Sequence, residues 1–320
     1  MSKPRYRDHL PQLDAASGLF LTDGGIETTL IFHEGLDLPC FAAFDLLKDA
    51  DGRAALDRYF SRHAAIARAR GVGFVLESPT WRANPDWGWK VGYSDAALAE
   101  ANRAAIALME TVREAQETAR SRMVISGCVG PRGDGYDPGA LMRPEEAEAY
   151  HAWQIGIFAG TAADMVTAIT MTNANEAIGI TRAARAAGVL VAISFTVETD
   201  GRLPTGETLG EAIAAVDAAT SAAPAYYMIN CAHPTHFAHL LVDEGAPWAE
   251  RLRGLRANAS RRSHAELDQA TDLDDGDPVE LGAQYADLRR RHRQLTVLGG
   301  CCGTDHRHIE RICEACMPTA

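Results

Sequence analysis

The feature that most constrains this chain is an alternation. Short β-branched apolar runs recur eight times, at 18–25, 72–80, 122–131, 164–172, 189–197, 225–234, 252–258 and 295–304. Segments of helical period fill the intervals, at 52–70, 94–119, 144–160, 174–187 and 208–220, then from the sixth run to about 243, and at 278–292 and 305–316. In the first of these, Leu56, Tyr59, Phe60, His63 and Ile66 return every three to four positions, the mark of a one-faced helix. Strands separated by helices pair in parallel, with each helix as the crossover. Eight such units in about 300 residues fit a closed (β/α)8 barrel better than an open sheet. No linker-like composition break interrupts the series, so residues 1–320 read as one α/β domain, a single-domain (β/α)8 TIM barrel. Residues 1–17 form an N-terminal extension, and the polar stretch 259–277 near the barrel mouth is a loop or a short helix. The seventh strand, LRGLRAN, is the weakest of the eight.

A barrel of this kind carries its site at the C-terminal ends of its strands. Those ends place Asp23 and Gly24 after the first strand and Glu77, Ser78, Pro79 and Thr80 after the second. Cys128 to Pro131 follow the third, Thr170 to Asn173 the fourth, and Glu198 the fifth. Asn230 and Cys231 end the sixth, Asn258 the seventh, and Cys301 and Cys302 the eighth. Three of seven cysteines thereby meet on one rim, from strands two apart.

Three thiolates with a vacant fourth position make a catalytic type of Zn2+ site. Its net charge of −1 suits thiol activation, because a substrate thiol bound there loses its proton and keeps much of its negative charge. A free thiol of pKa about 8.5 is mostly protonated at neutral pH, so such a sulfur gains nucleophilicity. Each element also has a plainer reading. Gly-Gly-Cys-Cys-Gly can be a tight turn over buried thiols, and Cys231 can be core. His233 could close the metal site as a fourth ligand, although capping suits it better. Cys313 and Cys316 sit in the last helix and read as packing, and Cys40 and Cys128 as structural. Trp81, Trp87 and Trp89 either line a substrate pocket or pack the core.

Other chemistries lack their signatures. There is no G-x-S-x-G, H-E-x-x-H or phosphate-binding G-x-x-x-x-G-K-[ST]. Only three lysines are present, which leaves few candidates for Schiff-base chemistry. The net charge of −12 argues against a nucleic-acid or anionic-membrane partner. No apolar run approaches the ~18 residues that span a bilayer, and the first residues lack a signal-peptide core. The expected compartment is the cytoplasm, the expected partners are small molecules, and a homo-oligomer is left open.

The motifs TDGGIETTL, ESPTWRAN, SGCVGPRG, ISFTVETDGRLPTGETL, NCAHP and GGCCGT together resemble the homocysteine S-methyltransferase family across nearly the whole chain. That family includes betaine–homocysteine methyltransferase, S-methylmethionine-dependent enzymes and the homocysteine domain of cobalamin-dependent methionine synthase. The resemblance implies the (β/α)8 barrel, Zn2+ on Cys231, Cys301 and Cys302, and methyl transfer to a zinc-bound thiol, homocysteine. It implies that Asp23 and Gly24 hold the amino-acid end of the acceptor and that Asn230 supports the metal shell. With Glu77, Thr80, Thr170, Glu198 and Asn258 these make the candidate substrate contacts. One position departs from the family. A Glu-Thr or Glu-Tyr pair ends strand four in relatives, its Glu binding the acceptor's ammonium; here the pair is Ile169-Thr170. Either Glu77 or Glu198 replaces that carboxylate, or the acceptor is another thiol. The donor is open among sulfonium and quaternary ammonium compounds. A non-catalytic zinc- or thiol-binding barrel is the remaining alternative.

Overall fold

The computed structural model describes residues 3–14, 17–242 and 246–317. Its eight strands are β1 (Phe20–Leu21), β2 (Gly73–Glu77), β3 (Met123–Val129), β4 (Met165–Met171), β5 (Leu190–Thr196), β6 (Tyr226–Asn230), β7 (Leu252–Ala257) and β8 (Val297–Gly300). Every neighbouring pair is parallel, and Phe20 against Val297 closes the barrel between β1 and β8. The crossover helices are α1 (Ala50–Arg70), α2 (Asp95–Gln116), α3 (Pro144–Ala159), α4 (Ala174–Ala186), α5 (Leu209–Thr220), α6 (Pro234–Phe237), α7 (Pro278–Arg291) and α8 (His306–Cys316). The weak seventh strand is present. The short helix Pro85–Val91 has too few turns for periodicity to report it, and the polar stretch at the mouth contains the short helix His264–Asp268.

The period of two along each strand builds two cores. Outward residues such as Phe74, Leu76, Ile125, Ile193 and Ile229 pack under the helices. Inward residues Phe20, Val75, Val124, Met165, Ala192, Tyr226, Met228 and Val297 fill the barrel itself. Above that plug the inward positions turn polar: Glu77, Ser126, Thr167, Ser194, Asn230 and Arg256 are all buried. The switch from apolar to polar filling marks where the barrel stops being core and begins to be a site.

The N-terminal extension closes the other end. Tyr6, Leu10 and Leu13 pack against the inward plug. The Arg5 and Tyr6 amides donate to one oxygen of Asp164 at 2.6 and 2.7 Å. The other Asp164 oxygen accepts from Arg113 and from the Ile125 amide, both at 2.9 Å.

At the upper end β1 and β8 turn against each other. A Cβ on Gly25 would stand 2.5 Å from the Cys301 carbonyl oxygen, and one on Gly24 2.8 Å from that of Thr304. The two glycines let the segment that carries Asp23 lie directly against the segment that carries the cysteine doublet.

Candidate active site and metal centre

Cys231, Cys301 and Cys302 come together, one sulfur from each lying within 4.8 Å of the others, so the cluster could hold a metal ion. Cys231 and Cys302 are 3.8 Å apart, and Cys302 is a free thiol. Cys231 and Cys301, read from the sequence as metal ligands, are paired here as a disulfide. The pair forms where a metal would sit, so disulfide and metal centre use the same sulfurs and exclude one another. Tetrahedral Zn–S bonds of about 2.3 Å would space sulfurs about 3.8 Å apart, which the reduced cluster can meet.

The backbone is bent to deliver these ligands. Cys231 has a left-handed φ of 54° and Thr170 one of 65°. Both conformations are costly for residues with a Cβ and need fixing from outside. Asn230 does this for Thr170: its Oδ1 accepts from the Thr170 amide at 3.0 Å and from Ser194 at 2.6 Å, and its Nδ2 donates to the Thr170 hydroxyl at 2.7 Å. The same Nδ2 lies 4.0 Å from Cys301 Sγ. The Cys231 carbonyl is held by Asn258 Nδ2 at 3.0 Å and His264 Nε2 at 2.7 Å.

A cavity of about 510 Å3 opens above the cluster. Asp23, Gly24, Glu77, Thr170 and the three cysteines line it. Thr80, Glu198, Asn230 and Asn258, read as substrate contacts from their strand ends, are absent from that lining. Thr80 turns its hydroxyl to the Cys128 carbonyl at 2.7 Å. Glu198 faces His264 at 3.1 Å, and the two asparagines support backbone beneath the cluster. His233 lies apart from the cluster: its Nδ1 caps the start of α6 through Thr235, and burial lowers its pKa to about 4. Trp81 and Trp87 line the cavity, with the Arg82 guanidinium 4.1 and 3.6 Å from their ring centres; Trp89 is exposed. Cys40, read as structural, is instead exposed at the mouth. Cys313 and Cys316 are packed in α8.

The sequence reading missed five residues of the site. Arg256, one residue from the C-terminal end of β7, pairs with Asp23 at 2.7 Å, and Tyr59 donates to the other Asp23 oxygen at 3.0 Å. Burial alone would lower the Arg256 pKa, but Asp23 and Glu77 outweigh it and keep the guanidinium charged. Glu27 lines the cavity half-buried; burial first, and the Asp23 charge after it, raise its pKa to about 7. Tyr136 sets its hydroxyl 3.5 Å from Cys231 Sγ and 3.6 Å from Cys302 Sγ. Its ring stacks on His264, the fifth, at 4.0 Å between centres. Burial and the charge of Cys302 push the Tyr136 phenol well above its ordinary value. Burial also pushes the Glu77 carboxyl up, and its Oε2 has no hydrogen-bond partner.

Comparison with known proteins now decides the family. The homocysteine S-methyltransferase family model matches residues 20–316. The chain belongs to that family. It is therefore a methyltransferase, and the family chemistry is methyl transfer to a thiol. The homocysteine methyltransferase MmuM from Escherichia coli shares the fold. Its oxidized form aligns with a TM-score of 0.71 at 18% identity, covering 95% of this chain and 99% of that one. Its metallated form aligns at 0.69 with the same identity and coverage. A search of curated protein sequences returned no match. No helix among the described residues is long and apolar enough to cross a membrane.

Proposed function

We propose that this chain moves a methyl group from a sulfonium or quaternary ammonium donor to a thiol presented at zinc, with homocysteine as acceptor and methionine as product. The convergence of Cys231, Cys301 and Cys302 on one cavity that also holds a buried, unpartnered carboxylate oxygen carries this reading. All three donors are sulfur, which suits zinc over the hard oxygen-seeking cations. Zinc held by Cys231, Cys301 and Cys302 would supply Lewis acidity that favours the acceptor as its thiolate, the proton passing to solvent.

The chain's own residues do the rest. Glu77 offers its free Oε2 to the acceptor's ammonium, which would otherwise be buried unpaired at a cost of several kcal/mol. Asp23, locked by Arg256 and Tyr59, adds negative charge at the same end. Glu198 cannot serve, because it turns to His264 and lies off the cavity. At the mouth, the exposed rings of Phe32 and Phe41 give a cationic methyl donor aromatic faces. The reaction is then one displacement. The donor's bond to its methyl breaks, its electron pair leaves with the donor as a neutral thioether or amine, and a new S–CH3 bond forms. Alignment of the two reactants can supply about 7–11 kcal/mol of barrier reduction at best.

Ile169 favours a second reading. It stands where the family carries the ammonium-binding Glu, and its side chain has no acceptor. An acceptor thiol without an ammonium group would lose nothing there. The alternative of a non-catalytic barrel is set aside by family membership, and its proposed cap, His233, is occupied with Thr235.

The test is a panel of acceptors, homocysteine and 4-mercaptobutyrate, each with S-methylmethionine, S-adenosylmethionine and glycine betaine. A kcat/KM for homocysteine at least tenfold above that for 4-mercaptobutyrate supports the first reading. The reverse order supports the second. Absence of any methylated thiol with every donor overturns both.

A further inference from the structure

A three-cysteine methyl-transfer site has a selectivity problem. On the functional reading proposed above, on which this inference rests, the donor meets four sulfurs, three of them the protein's own. Cys231 and Cys302 are only 3.8 Å apart, so position alone separates them poorly. Methylation of a ligand cysteine would be self-inactivating, since it turns an anionic ligand into a neutral thioether. Hydrogen bonding can separate the sulfurs, because a donor on a thiolate lone pair draws charge from the atom that would attack.

The cluster is furnished with such donors, each immobilised. The Tyr136 hydroxyl stands 3.6 Å from Cys302 Sγ and 3.5 Å from Cys231 Sγ. Its ring lies 15° from parallel with that of His264. His264 is pinned in turn by the Cys231 carbonyl at 2.7 Å and by Glu198 at 3.1 Å. Cys301 has the Asn230 amide at 4.0 Å, fixed by Thr170. This accounts for Glu198 and His264, which stand off the cavity yet are tied to the cluster.

We propose that Tyr136, braced by His264 and Glu198, masks the cysteine ligands Cys231 and Cys302, so that the methyl group goes to the incoming thiol and not to the protein. The step it suppresses is balanced. The donor's C–S or C–N bond breaks and its electron pair leaves with the donor. A Cys302 lone pair forms S–CH3, with no proton moved and no oxidant used.

The experiment uses the zinc-loaded full chain and methyl methanesulfonate, a neutral methylating agent that needs no donor site. Mass spectrometry of the Cys302 peptide follows S-methylcysteine, and a chromophoric chelator follows zinc release. Tyr136→Phe should methylate at Cys302 about tenfold faster than the unmodified chain, the change that ~1.4 kcal/mol in the barrier makes. Zinc release should keep pace. His264→Ala keeps the hydroxyl but frees the ring, and should give an intermediate rise. A Tyr136→Phe chain that holds zinc yet methylates at the original rate overturns the proposal. Where Tyr136→Phe fails to hold zinc, the His264→Ala rate decides in the same way. Failure of the functional reading is distinct: it would show as no methyl transfer to any thiol in the panel, whatever these chemical rates are.

Discussion

Both ends of the barrel bury an arginine–aspartate pair, and they do so to different effect. Below, Arg113 and Asp164 are 2% and 0% exposed, and each Asp164 oxygen accepts two hydrogen bonds. Above, Arg256 and Asp23 meet at 2.7 Å, but under an open cavity and beside a Glu77 oxygen with no partner. The lower carboxylate is fully matched by donors, and its work is to hold strands and N-terminus together. The upper end leaves an acceptor uncommitted in a low-dielectric place, which costs stability and is retained where a ligand can complete it. The contrast lies between the two carboxylates, since Arg113 Nε and Gln12 Oε1 at the lower end are also unpartnered: Asp164 holds the fold, while Glu77 faces a cavity that a substrate can fill.

Four changes test that separation. Cys302→Ser should have the largest effect, at the upper end. Zinc affinity should fall by more than the about 10–100-fold typical of losses around a metal's ligands, and methyl transfer with it. Metal content by mass spectrometry checks this, and full zinc with full activity would sink the ligand assignment. Asp164→Ala should strike the fold instead. It leaves Arg113 buried without its partner, a loss of about 3–5 kcal/mol in urea unfolding, while the surviving folded fraction keeps its KM. Glu77→Gln should do the opposite, raising KM for homocysteine about tenfold, the effect of ~1.4 kcal/mol, with stability unchanged or improved. A matching rise for 4-mercaptobutyrate would show that the ammonium is not what Glu77 reads.

The smallest effect is a pH dependence. Glu27 rises from 4.5 unfolded to about 7 when folded. Between those values the folded chain holds a proton that the unfolded chain has released. Its contribution is therefore full below about pH 4.5 and is lost as pH rises through 7. Glu27→Gln should flatten that decline, read as urea midpoints of the reduced, metal-free chain at about pH 5 and pH 8. An unchanged difference between the two midpoints would show that Glu27 is not the group responsible.

The barrel was legible because its signal is repeated. Eight strands alternating with helices overdetermine the topology, so that even the weak β7 falls into place. Strand-end arithmetic likewise found Cys231, Cys301 and Cys302, because a barrel delivers strand ends to one rim. What it could not tell is which way a side chain at a strand end turns. Thr80, Glu198 and Asn258 sit at the right height but serve neighbouring backbone or His264. Arg256 was hidden for the converse reason: a charge inside a strand weakens the pattern that identifies it, and its inward position shows only once Asp23 is seen opposite. Tyr136 lies in a Gly- and Asp-rich loop after β3, where no periodicity reports on direction.

The N-terminal extension has a practical consequence. Family similarity begins at residue 20, yet Tyr6, Leu10 and Leu13 stopper the barrel from beneath and the amides of Arg5 and Tyr6 satisfy Asp164. A boundary drawn where resemblance starts would uncork the underside, wetting Phe20, Met165 and Tyr226 and stranding a carboxylate. The stretch that the family model matches is thus smaller than the unit that packs the barrel floor.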